Sequence, residues 1–116
     1  MFRTILALLV ISFGSSAFAG SAYYTASVKR TLVDEAAYGS CMAVVSPNPQ
    51  AKGLDCKANW VSFSCSGDFN SKEIGYQKLE AAQLAMMTGT MVSIRIDDSK
   101  KHNGYCFAQR IDNLPN

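Results

Sequence analysis

The chain has 116 residues, 48% of them hydrophobic, a formal net charge of +2, four cysteines and one histidine. So near a charge balance argues against a nucleic-acid binder, which needs a strongly basic face to neutralise phosphates. The length allows one domain with a modest core, a size at which covalent cross-links matter.

The chain starts M-F-R-T, continues I-L-A-L-L-V-I-S-F-G and then reads S-S-A-F-A. A basic start, a short apolar core and Ala17-Phe18-Ala19 predict a secretory signal peptide over residues 1–19, with cleavage after Ala19. The apolar run is too short for a good membrane anchor, and no second run approaches spanning length. Cleavage leaves 97 of the 116 residues and removes only Arg3 from the charge balance, giving +1. A secreted or periplasmic protein with no membrane insertion is expected.

Cys41, Cys56, Cys65 and Cys106 all fall in the exported part. An even count in a small secreted domain reads as two disulfides. Zinc is the competing reading, but there is no C-x-x-C pair and His102 stands alone, so no metal is expected.

In chain order, residues 23–33 alternate as a first strand, with Ala26, Val28 and Leu32 on one face and Arg30 as an exception. Residues 40–45 form a second strand, stopped by Pro47 and Pro49. Gly53 lies in the next turn, and residues 56–65 make a third strand with Val61, Phe63 and Cys65 on one face. Residues 70–89 carry the one long helix, capped by Asn70 or Ser71, with Glu73 in its first turn and Gly89 at its end. Residues 91–97 and 105–111 are two more strands, joined by the polar loop D-D-S-K-K-H-N-G with its Asn103-Gly104 turn signal. Strand, strand, strand, helix, strand, strand is the element order of the OB-fold, an all-β barrel with one helix, here a single domain over residues 20–116.

Register predicts the disulfides. A hairpin about Gly53 sets Val45 opposite Val61, Ala43 opposite Phe63 and Cys41 opposite Cys65, so the last pair bridges. Cys56 and Cys106 then each open a strand, the third and the fifth, which run side by side in an OB barrel, and make the second bridge.

On the helix, Gly75, Leu79, Ala82 and Met86, widened by Ile74, Lys78 and Ala85, form the stripe that plugs the barrel. Leu84 lies opposite that stripe among Glu73, Gln77 and Glu80, with Met87 between the two faces. Leu84 and Met87 suit a helix contact between subunits, although a lone exposed leucine often carries no meaning.

No catalytic constellation is evident. There is no G-x-S-x-G elbow, and bridged cysteines are not nucleophiles. Asp97 and Asp98 point to opposite faces of a strand end and read as a solvated loop shoulder. His102 reads as an exposed turn residue. No enzyme activity and no cofactor are expected. Tyr23, Tyr24 and Thr25 offer aromatic rings beside a hydroxyl, a combination that suits a sugar, with rim packing of the tyrosines as the alternative.

The pieces A-Y-Y-T at residues 22–25, Cys41, Cys65 and A-Q-L-A-M-M-T-G-T-M-V-S-I around Thr88-Gly89 resemble the B subunits of one-A-five-B bacterial toxins. The likeness is to those of subtilase cytotoxin and typhoid toxin, over about residues 22–96. It implies a homo-pentamer of OB-folds with the helices around a pore. Such a ring binds sialylated host glycans and carries an enzymatic A subunit. By the same resemblance, Tyr23 and Thr25 fall on a tyrosine and a serine that contact the sugar. Ser46 stands where the family has a contacting lysine, and Lys52 is close by in sequence. The family's long segment between the last two strands is a short loop here. The alternative from a different class is a stand-alone secreted or periplasmic OB-fold interaction protein without lectin activity.

Overall fold

Alternation in the first strand builds the barrel wall. In the computed structural model, which describes residues 20–115, β1 spans Ser21–Val33 and buries Tyr24, Ala26 and Val28. A bulge between Val28 and Arg30 then resets the alternation. Beyond it, Thr31 pairs with the inward Ala43 and Leu32 pairs with Met42. Leu32 therefore stands on the outer face, not with Ala26 and Val28 as its spacing implied, and Arg30 ceases to be an exception. The predicted signal peptide lies outside the described residues.

β2 (Cys41–Ser46) is followed by β3 (Trp60–Ser62), α1 (Lys72–Thr88), β4 (Met91–His102) and β5 (Tyr105–Asn113). The strands close a barrel in the order β1-β2-β3-β5-β4, with β3 and β5 parallel and every other pair antiparallel. This is the OB-fold that the element order predicts. Val45, Val61, Phe63, Val92, Ile94 and Ile96 fill its interior.

Three strand details differ from expectation. β3 holds three residues, because Cys56 to Asn59 run as a loop in which Ala58 has a positive φ of 53°, and Ser64, at φ 56°, turns the chain again. The β2–β3 register sets Ala43 against Val61, two residues from the expected Phe63. A two-residue slip keeps the same side chains inward. Accordingly, both predicted bridges are present, Cys41–Cys65 and Cys56–Cys106, with Cα atoms 5.6 and 5.4 Å apart.

The third difference is β4, which does not stop at Asp97. It continues through the polar residues to His102 and turns at Asn103 and Gly104, whose φ values of 52° and 84° mark a tight hairpin. Asp98 is buried, not a solvated shoulder, because its carboxylate accepts the backbone N–H groups of Gly20 and Asp55 (the latter 3.1 Å). Its own N–H donates to Gly20 O at 2.9 Å, extending the β1–β4 seam. His102 is buried too, its ring tilted at 48° against Phe69 with centroids 4.6 Å apart.

Ser71 caps α1 by accepting the Ile74 N–H at 3.1 Å, and Gly89, with φ 68°, closes it by donating to Ala85 O. Asn70 takes a different part. Its amide donates to Phe63 O and Ser64 O, and its Oδ1 accepts Lys78 Nζ at 2.7 Å. Lys78 also reaches Ala108 O (3.0 Å), and half-burial together with Lys100 pulls its pKa down to about 8.

The helix buries Gly75, Leu79, Ala82 and Ala85, with Met86 half-buried against the core. Ile74, expected on this stripe, is exposed. The close seat of Gly75 on the Ser64–Cys65 backbone centres the stripe and leaves Ile74 on the outer flank.

Candidate functional site

The first strand divides the three residues marked for sugar binding. Tyr23 and Thr25 point outward, and Tyr23 keeps 55% of its surface exposed. Tyr24 points in. Its hydroxyl donates to Pro47 O at 3.0 Å, and burial pushes its pKa up to about 12. Successive strand residues face opposite ways, so one flat site takes Tyr23 and Thr25 but not Tyr24.

Strand pairing brings further groups to Tyr23. It lies opposite Arg95 of β4, which lies opposite Arg110 of β5. The Tyr23 hydroxyl donates to Asp112 Oδ2 at 2.9 Å, and Arg110 Nε donates to Asp112 Oδ1 at 3.0 Å. The Arg110 guanidinium stands 5.8 Å from the Tyr23 ring centroid. Its bond holds the Asp112 carboxyl below the usual range, with help from the Tyr23 hydroxyl, while the Arg110 pKa is raised in turn. Arg95 reaches Ser21 Oγ at 3.4 Å.

The result is an exposed ring fixed at its edge, two guanidinium groups, a carboxylate and a strand hydroxyl on one face. Arg95, Arg110 and Asp112 escape a sequence reading because their meeting depends on register. The one available signal was that Arg95 occupies the outward phase of β4, between Ile94 and Ile96.

Lys52 approaches the same strand from the far side, with Nζ 5.2 Å from the Tyr24 ring centroid. Ser46, at the position where the resembled family has lysine, pairs with Ser27 on β1.

A second cluster has the order of a hydrolytic triad. His102 Nε2 is 3.4 Å from Ser64 Oγ, and His102 Nδ1 is 3.7 Å from Asp68 Oδ2. The geometry does not suit nucleophilic catalysis, because Ser64 is fully buried and its Oγ accepts the Phe69 N–H at 2.9 Å. Burial lowers the His102 pKa and Asp68 acts the other way. The cluster holds the 63–69 turn against β4. Among the described residues no group of three or more His, Cys, Asp or Glu side chains is placed to hold a metal ion.

On the helix, Leu84 and Met87 are exposed, Met87 at 81%, with Tyr76 exposed along the same outer side. Around the axis Leu84 lies opposite Leu79 and Ala82, and Met87 lies between the two faces. No family model, curated protein or solved structure shows a match to the chain.

Proposed function

We propose that this chain is a secreted, toxin-B-subunit-like protein that binds sialylated host-cell glycans as a homo-pentamer and docks an A subunit. The observation that carries the reading is the Tyr23 face. A sialic acid offers a carboxylate, a glycerol tail and an apolar ring side. Arg95 and Arg110 suit the carboxylate, Thr25 and Asp112 suit hydroxyl groups, and the Tyr23 ring suits the apolar side. Tyr23 and Thr25 are also the positions that the family resemblance marks. Leu84 and Met87 supply an apolar patch for a neighbouring helix.

A sialylated and non-sialylated glycan array probed with the purified chain tests the sugar. Binding to sialylated members is expected, with Tyr23→Ala losing up to about tenfold in apparent affinity, since an aromatic contact contributes about 0.5–1.5 kcal/mol. No hit from folded protein would remove glycan recognition from the proposal.

Light scattering tests the assembly. A pentamer mass is expected, and Leu84→Glu is expected to reduce it to a folded monomer by placing a charge in an apolar contact. An unchanged pentamer in Leu84→Glu would move the interface elsewhere. A wild-type monomer would favour the stand-alone reading.

A further inference from the structure

The outer face of β2 is apolar where a solvent-facing strand would be polar. Cys41, Ala43 and Val45 point into the barrel, yet the outward Met42 and Val44 are also buried. Leu32, turned outward by the β1 bulge, and Trp60, paired with Val44, lie beside them. Above this floor the β1–β2 connection brings Asp34 and Tyr38, and the start of β5 brings Tyr105. Together, Leu32, Asp34, Tyr38, Met42, Trp60 and Tyr105 line an open pocket of about 240 Å³.

We infer that this pocket is a second carbohydrate subsite, which takes one neutral pyranose ring. Three aromatic rings provide stacking surface for the C–H face of a sugar, and the Tyr38 and Tyr105 centroids lie 6.0 Å apart at an angle of 51°. Asp34 is the one carboxylate in the lining, and its Oδ1 accepts the Glu35 N–H at 2.8 Å, which fixes the group on the wall beside the rings. A fixed carboxylate accepts hydrogen bonds from sugar hydroxyls.

Charge selects among the ligands that such rings attract. Arg30 stands 5.2 Å from the Trp60 ring centroid and Lys57 stands 5.1 Å from that of Tyr105. Positive charge against two of the three rings disfavours a cationic ligand. Asp34 in the wall disfavours a phosphate backbone, and two cations are few for a nucleic-acid strand. A neutral, hydroxyl-bearing ring fits both constraints. The volume is below the about 300 Å³ at which drug-sized sites begin, so one ring fits and the rest of a glycan leaves through the open side.

The subsite is independent of the Tyr23 face. Tyr23 and Leu32 lie near opposite ends of β1, about 30 Å apart along an extended strand. The inference stands whether or not Tyr23 binds sialic acid.

Trp60 is the only tryptophan in the chain, so its emission reports on this pocket alone. Methyl glycosides of glucose, galactose, mannose and N-acetylglucosamine, titrated into the purified protein, are expected to give a saturable change with at least one. The change should persist in Tyr23→Ala and weaken at least tenfold in Asp34→Ala and in Tyr38→Ala, both outside the barrel interior. Three results would overturn the assignment: no saturable change with any glycoside, an affinity unaltered by both pocket substitutions, or a saturable change with an oligothymidylate instead. Heteronuclear NMR of the Trp60 indole N–H verifies that each variant is folded before its titration is read.

Discussion

Replacing Gly75 with alanine is expected to destabilise the protein by about 1–3 kcal/mol, as overpacking of a close contact does. In an ordinary helix interior the same substitution stabilises by about 1 kcal/mol, because alanine is the better helix former. The sign reverses here because a Cβ at Gly75 would stand 2.8 Å from the Cα and N of Cys65 and from the carbonyl oxygen of Ser64. All three are backbone atoms, and the segment is tied down by the Cys41–Cys65 bridge, so it has little room to yield. The helix must lift instead, which loosens Leu79 and Ala82 from the core. Urea unfolding without reductant gives the answer. A midpoint equal to or above that of the wild type would mean that helix propensity outweighs the contact.

Loss of the Cys56–Cys106 bridge has the larger expected effect. The bridge spans a sequence separation of 50 residues, for which loop-closure entropy gives about 4 kcal/mol, against about 3.5 kcal/mol for Cys41–Cys65 at a separation of 24. Either is a large share of the about 5–15 kcal/mol that holds a typical domain together. The position of the bridge adds to its importance. It lies at the β3–β5 junction, where the ladder consists of a single pair, Ser62 with Phe107. Every other seam of the barrel has at least three pairs. The Cys56→Ala/Cys106→Ala protein should therefore unfold at lower urea and exchange the amide of Phe107 faster than those of Ile94 and Ile96. Uniform exchange across those positions would show that the junction is no weaker than the rest.

The helix was legible because both of its ends carry chemical stops, a serine cap and a left-handed glycine. β1 was legible up to its bulge, where one extra residue reverses the facing of everything after it. The Cys41–Cys65 bridge was legible by parity, and Cys56–Cys106 by the adjacency of the third and fifth strands: the apolar pattern of Ala43, Val45, Val61 and Phe63 determines which side chains point inward. It does not determine the offset, which depends on how many residues the Pro49–Lys52 turn removes from the hairpin. The extension of β4 was hidden because D-D-S-K-K-H has no apolar side to announce a strand. Its pairing rests on backbone contacts with Gly20 and β5, which composition does not encode. Tyr23 and Thr25 could be found from local sequence, but Arg95, Arg110 and Asp112 reach them only once three strands lie side by side.

The Asp98 carboxylate would give the position of the predicted cut a structural meaning. A cut after Ala19, as the sequence predicts, turns the Gly20 nitrogen from an amide into an ammonium group while it still sits on Asp98. Export would then exchange a hydrogen bond from a neutral amide for an ion pair, one of the stronger kinds of contact when partly shielded from water. A cut one residue later would take away the donor and leave the buried carboxylate with the Asp55 N–H alone. Intact mass of the exported protein distinguishes the two. The barrel in its final form would thus be completed by the peptidase as well as by folding, with maturation and the last stabilising contact falling on the same atom.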